Sequence, residues 1–164
     1  MTDIKSLTNN FLQGGTVEWI GVRPQRKSAV KSVHEINALE DTGLEGDHYS
    51  NRGGTRQVTL IQAEHLKAVA SFLNKRIDPG FIRRNIVVKG INLLSLKDKQ
   101  FTVGEAILEY TGECHPCSRM EENLGPGGYN AMRGHGGITA RILQGGLIKT
   151  GDILKPVSSA VLDK

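Results

Sequence analysis

The chain has 164 residues, of which 38% are apolar and 23% charged, so it suits one folded domain with a real core rather than a disordered tail. Its 21 Lys and Arg against 17 Asp and Glu give a net charge of +4, a bias toward an anionic small-molecule ligand that is too small to imply nucleic acid. No apolar run approaches the roughly 20 residues of a membrane-spanning helix, so no membrane partner is expected.

The first residues, Met1 to Gly15, lack the apolar core and small-residue cleavage site of a secretory signal. They predict a flexible arm with one helical turn, and a cytoplasmic location is the corresponding expectation. Strands are predicted at Val17–Val22 and Ala29–Val33. Between them lies the densest basic run, Arg23-Pro24-Gln25-Arg26-Lys27, which reads either as a solvated loop or as a rim that attracts phosphate. Next comes the glycine loop Gly43-Leu-Glu-Gly-Asp47-His48, followed by Asn51-Arg52-Gly-Gly-Thr55-Arg56 and a strand at Gln57–Ile61. Glycines allow close backbone approach, so amides, His48 and Arg56 are candidate ligand contacts, with a plain polar connection as the alternative.

A helix is predicted over Gln62–Leu73, where Ala63, Leu66, Ala68, Val69, Ala70, Phe72 and Leu73 supply an apolar face, and Pro79-Gly80 closes the loop after it. Strands follow at Asn85–Val88, Gln100–Val103 and Ala106–Tyr110. In Arg83-Arg84-Asn85, one arginine is expected in solvent and the other facing an anion, while Asn85 is either a ligand contact or a turn residue. The stretch from Leu124 to Ile138 is too glycine-rich for a regular element and reads either as a flexible wall over Cys117 carrying Arg133 and His135 as anion donors or as a plain surface loop. Gly137–Leu143 and Ile153–Lys155 complete the strands, and Arg141 to Lys149 predicts a strand, a Gly145-Gly146 turn and a return. Glycine is common, 20 residues, and falls where extended segments must turn, which favours a barrel. The fold class is therefore α+β, mainly β: a mixed β-barrel with a few short helices over residues 16–157, between an arm at 1–15 and a tail at 158–164.

Both cysteines lie in Cys114-His115-Pro116-Cys117. Structural zinc normally wants a second Cys or His pair at regular spacing, and none follows. A dithiol redox centre fits better, because Ser118-Arg-Met-Glu121 has the capping-box pattern of a helix start, where a thiolate is favoured. Such centres usually sit early on a βαβ pattern, whereas this one falls late among strands. The third reading is a single reactive sulfur on Cys117, closer to the helix start than Cys114, that ligates a soft metal or carries a persulfide, with two ordinary cysteines in a buried turn as the plain alternative.

These segments occur in an order that resembles the MOSC family, named for the C-terminal domain of molybdenum cofactor sulfurases. The elements are Gly-Leu-Glu-Gly-Asp-His, Arg56-Gln-Val-Thr-Leu-Ile, Arg84-Asn-Ile-Val-Val-Lys-Gly, Val103-Gly-Glu-Ala, Cys-His-Pro-Cys, Gly137-Ile-Thr-Ala-Arg and Gly151-Asp, spanning about Val17 to Pro156. The resemblance implies a barrel with Cys117 beside a cofactor cleft. It implies molybdenum ligated by Cys117, with Arg56, Arg84 and Asn85 on pterin or phosphate; His48, His115, Arg133 and His135 are further candidate cofactor contacts by residue type. Related proteins reduce N-hydroxylated compounds with help from an electron-donor protein, or accept sulfur from a cysteine desulfurase. Neither the extra N-terminal barrel domain of the reductases nor a desulfurase domain is found in this sequence, so pyridoxal phosphate is not expected, and a homo-oligomer could complete the site.

Overall fold

The computed structural model describes residues 3–158. Apart from Ser158, the predicted tail lies outside the described residues, as do residues 1 and 2. The predicted turn in the arm is α1 (Ile4–Leu7).

Seven strands close into a barrel: β1 (Gly15–Val22), β11 (Ile153–Pro156), β7 (Gln100–Val103), β8 (Ala106–Glu113), β9 (Ile138–Gln144), β5 (Val58–Gln62) and β6 (Ile86–Lys89), which returns to β1. Only β5 and β6 run parallel; the other barrel pairs are antiparallel. A short strand β2 (Lys31–Val33) extends the sheet beyond β1. The barrel interior is filled by Ile20, Leu60, Ile86, Phe101, Leu108 and Ile142 among others. β1 keeps Val17 and Ile20 in that interior although they are three residues apart, because the register shifts between Val17 and Trp19. A bulged residue changes the parity of a strand, and Trp19 is thereby turned outward.

The outer face of β5 and β6 is covered, which is why β5 is buried along its whole length. Ile61 and Val87 point out of the barrel into a second cluster with α2 (Ala63–Leu73), α3 (Ser118–Leu124) and α4 (Gly128–Met132). The parallel β5–α2–β6 unit needs such a crossover helix. α2 ends at Asn74 in the left-handed conformation, and a 3-10 turn at Pro79–Ile82 leads the chain back to β6.

Three local expectations are corrected. The Leu124–Ile138 stretch contains a regular element after all, α4. Its glycines at 125, 127, 134 and 137 take positive φ and turn the chain, whereas a Cβ on Gly128 would lie 2.7 Å from both Leu124 Cβ and the Met120 carbonyl oxygen, so glycine there lets α4 sit tightly on α3. The Ser118–Glu121 capping box does not form. Cys117 occupies the N-cap without a side-chain bond, and Glu121 instead accepts from the backbone N–H of Gly127. Finally, β10 (Gly146–Lys149) does not pair back onto β9; it pairs with β3 (Glu35–Leu39), which also pairs with β4 (Gly43–Leu44) in a small separate sheet. A tight hairpin there would need positive φ at its turn residues, which neither Gly145 nor Gly146 adopts. Both are needed for close approach: a Cβ on Gly145 would meet the Ala38 carbonyl oxygen at 2.7 Å and one on Gly146 would meet Glu105 at 2.7 Å.

Candidate active site: a cationic cleft at Cys117

Four segments converge at one rim of the barrel. They are the chain leaving β1, the loop between β4 and β5, the Arg83-Arg84 entry to β6, and the Cys117–Met120 start of α3. Together they line a cleft of roughly 270 Å³ in which seven side chains are Lys or Arg and none is acidic. That volume is slightly below the ~300 Å³ at which ordinary ligand pockets begin.

Cys117 is exposed and lines this cleft, whereas Cys114 is buried; both thiols are free. The Cys114 backbone N–H donates to the Gly137 carbonyl at 2.8 Å, which fixes the loop by the barrel while Cys117 stays at the surface. Cys117 caps the seven-residue α3 and shares the cleft with the guanidiniums of Arg23, Arg56, Arg83, Arg84 and Arg119. Among the described residues, no three His, Cys, Asp or Glu side chains gather into a metal-holding group.

The two readings of the basic run divide within it. Arg26 and Lys27 are exposed on the cleft rim, but Arg23 is only 6% exposed and forms part of the wall. The Arg23 backbone N–H donates to Asp47 Oδ1 at 2.8 Å, and its carbonyl accepts from the His48 N–H at 2.6 Å. Its side chain faces the same carboxylate, Nε to Oδ1 being 3.9 Å. Tyr49 lies between two guanidiniums, with the Arg23 carbon 4.7 Å and the Arg56 carbon 5.3 Å from its ring centre. Burial pushes the Arg23 guanidinium below the usual arginine value, and Asp47 opposes that.

Arg83 and Arg84 both line the cleft, and neither stands free in solvent as the sequence suggests for one of them. Arg83 is half-buried, takes the left-handed conformation and donates to the Ser28 carbonyl at 3.2 Å. Arg84 is buried and directs donors to the carbonyls of Gly136, Ile82 and Cys114 at 2.7, 2.9 and 3.3 Å. Burial lowers its proton affinity first, with Cys114 and then Cys117 among the groups that oppose the shift.

The structure thus brings Cys117, His48, Arg56 and Arg84 to one cleft. Asn85, His115, Arg133 and His135 are not among its lining residues. Asn85 is buried, where Oδ1 accepts from the Thr59 N–H and hydroxyl and Nδ2 donates to the Gly21 carbonyl, all at 3.1 Å. His115 and Arg133 are exposed, and His135 packs edge-on against His65 and Phe72 beside α2. Sequence reasoning missed Tyr49 and Arg119 altogether; Tyr49 directly follows the Asp47-His48 pair, a position that could have flagged it.

The MOSC domain model matches residues 45–155, more than half of the chain, and the chain belongs to that family. Its fold is similar to that of the YuaD protein from Bacillus subtilis, with a TM-score of 0.74 at 20% identity over 86% of this chain and 94% of that one. YiiM from Geobacillus stearothermophilus (TM-score 0.71, 18% identity, 90% and 77% covered) and YiiM from Escherichia coli (0.66, 19%, 87% and 70%) are similar in the same way. No curated protein matches the chain. Among the described residues, no helix is long and apolar enough to cross a membrane.

Proposed function

We propose that this cleft binds the molybdenum cofactor, with Cys117 as the protein's ligand to the metal, and that the protein reduces N-hydroxylated compounds. The observation that carries the reading is one exposed thiol in a cleft lined by seven cations and no acid. The residues fit the group. A cofactor that brings its own sulfur ligands needs only one from the protein, and its phosphate suits forked arginine donors. When bound, the metal would supply the two-electron chemistry that removes oxygen from nitrogen.

The chain's own groups would divide the remaining work. Cys117 would hold the metal end, while Arg23, Arg56 and Arg83 would take the anionic end and fix orientation. His48, exposed among the lining residues, would pass a proton from a ring nitrogen to the departing hydroxyl, which leaves as water, while the nitrogen would take the second proton from solvent. The electrons would come from an electron-donor protein. The test is molybdenum and pterin content after expression in a cofactor-producing host, beside Cys117→Ser. Stoichiometric cofactor lost in the variant is expected, followed by turnover of an amidoxime with a chemical reductant. Cofactor-free wild type from a competent host would sink the proposal.

The exposure of Cys117 also favours a second reading, a persulfide carrier. The Cys117 thiolate would attack the outer sulfur of a desulfurase persulfide, forming a new S–S bond while the desulfurase cysteine leaves as thiolate. Mass spectrometry after incubation with a cysteine desulfurase should then show one added sulfur, absent from Cys117→Ser.

A further inference from the structure

Away from the cleft lining, two imidazoles meet on the helical side of the barrel. His65 stands in the first turn of α2 and His135 in the loop between α4 and β9, with ring centres 4.7 Å apart and planes at 73°. Both are half-buried, so neither is sealed from solvent. His135 is held twice: its backbone N–H donates to the Met132 carbonyl at 2.8 Å, and its ring Nδ1 lies 2.9 Å from the Arg133 carbonyl. A carbonyl can only accept, so Nδ1 carries the hydrogen and Nε2 of the neutral ring presents a lone pair. A backbone carbonyl on the far nitrogen is also how metal-bound histidines are commonly oriented. Among the described residues, no hydrogen bond occupies the ring of His65. Burial first and His135 second hold it below the ordinary histidine value of 6.5, so at neutral pH it too offers a lone pair. Phe72 packs edge-on against His135 at 5.6 Å and shields one flank.

We propose that His65 and His135 form a binding site for a divalent transition-metal ion that favours imidazole, clipping α2 to the loop before β9. The spacing fits. Nitrogen ligands lie about 2.0–2.1 Å from such an ion, and two imidazoles bound at an angle of about 90–109° have ring centres about 4.5–5.2 Å apart. No third His, Cys, Asp or Glu among the described residues joins them, so water completes the coordination and the ion is exchangeable. Imidazole suits zinc, nickel and copper, whereas magnesium and calcium take oxygen ligands. The clip reaches the cleft through the chain. The carbonyls of Gly136 and Gly137, directly after His135, accept from Arg84 at 2.7 Å and from the Cys114 N–H at 2.8 Å. A bound ion therefore steadies the loop that supports Cys114. The site is independent of the cofactor reading of the cleft, and either can fail without the other.

The test titrates zinc chloride into the cofactor-free full chain carrying Cys117→Ser, which removes the exposed thiol as a competing ligand. One saturable site is expected, with a rise in the thermal unfolding midpoint, and magnesium chloride should produce neither. His65→Gln and His135→Gln, each added to that chain, should weaken zinc binding about ten-fold or more. NMR of the imidazole nitrogens, with all five histidines present, should show the His65 and His135 rings moving together. Circular dichroism establishes that each variant is folded; where one is not, the NMR titration decides alone. Three results would overturn the proposal: no saturable binding, zinc binding within about two-fold in both folded variants, or movement confined to His34, His48 or His115. Any of them leaves the pair as an edge-on aromatic contact.

Discussion

Arg84 Nη2 donates to the carbonyl of Cys114 at 3.3 Å, so the residue that opens β6 also holds the turn leading to Cys117. With Nε on Gly136 and Nη1 on Ile82, one side chain ties three separate loops together at the edge of the cleft. Removing it leaves buried carbonyls unpaired, at about 1–3 kcal/mol each. Arg84→Met should therefore destabilise the fold by roughly 3 kcal/mol or more in urea denaturation, with Arg84→Lys recovering only part. A variant of wild-type stability that merely bound ligand less well would contradict this structural role.

Asn85 plays a comparable part inside the sheet. Its carboxamide bonds to Thr59 on β5 and to Gly21 on β1, linking the parallel pair to the strand beside it. Asn85→Ala would orphan buried groups on both neighbours, and a loss of about 2–4 kcal/mol is expected. Asn85→Asp would place a carboxylate against the Gly21 carbonyl and should be at least as damaging. Equilibrium unfolding of the two variants side by side checks the order.

The two cysteines should separate cleanly by accessibility. In the native protein iodoacetamide should label Cys117 alone, since Cys114 is 2% exposed, and both should react after unfolding. Intact-mass analysis reads one adduct against two. Native labelling of Cys114 at a comparable rate would show that the loop opens far more readily than its Gly137 and Arg84 bonds suggest.

The His65–His135 pair makes stability depend on pH away from the cleft. Burial first, and His135 second, holds His65 below the ordinary histidine value of 6.5. The unfolded chain therefore takes up a proton on His65 before the folded one does. Stability should be full above pH 6.5 and fall as pH drops below it, levelling off once the folded-state value is passed. His65→Gln should flatten this part of the profile in chemical denaturation between mildly acidic and neutral pH. An unchanged slope would assign the dependence to other groups.

The barrel strands were legible because their apolar residues alternate or run continuously, and Gln100–Val103 has the same bounds in sequence and structure. β3 was invisible for the opposite reason. Of Glu35–Leu39, only Ala38 is fully buried, so no apolar period marks it as a strand. α4 hid among glycines that turn the chain on either side of it, Gly125, Gly127, Gly134 and Gly137, while Gly128 allows its close packing. At the site, Cys117, Arg56 and His48 stood out by chemistry, but no local pattern reveals that Arg23 is buried. That follows from where β1 ends relative to Asp47, a residue 24 positions away. His135 was an attractive donor by type, yet tertiary packing turns it toward α2.

β1 is joined on one side to β6 and on the other to β11, with Gly15 opposite Leu154. The ring is thus closed by its earliest strand meeting its latest, a pairing across most of the sequence. During synthesis β1 must wait, unpaired on that edge, until Ile153–Pro156 has emerged from the ribosome. Long-range closure of this kind comes late and slowly in folding. The cleft, assembled from residues on either side of β1, β5, β6 and β8, reaches its final shape only with that step. Any cofactor or sulfur it receives must therefore arrive after Ile153–Pro156 has emerged and the ring has closed, so loading follows barrel closure rather than guiding it.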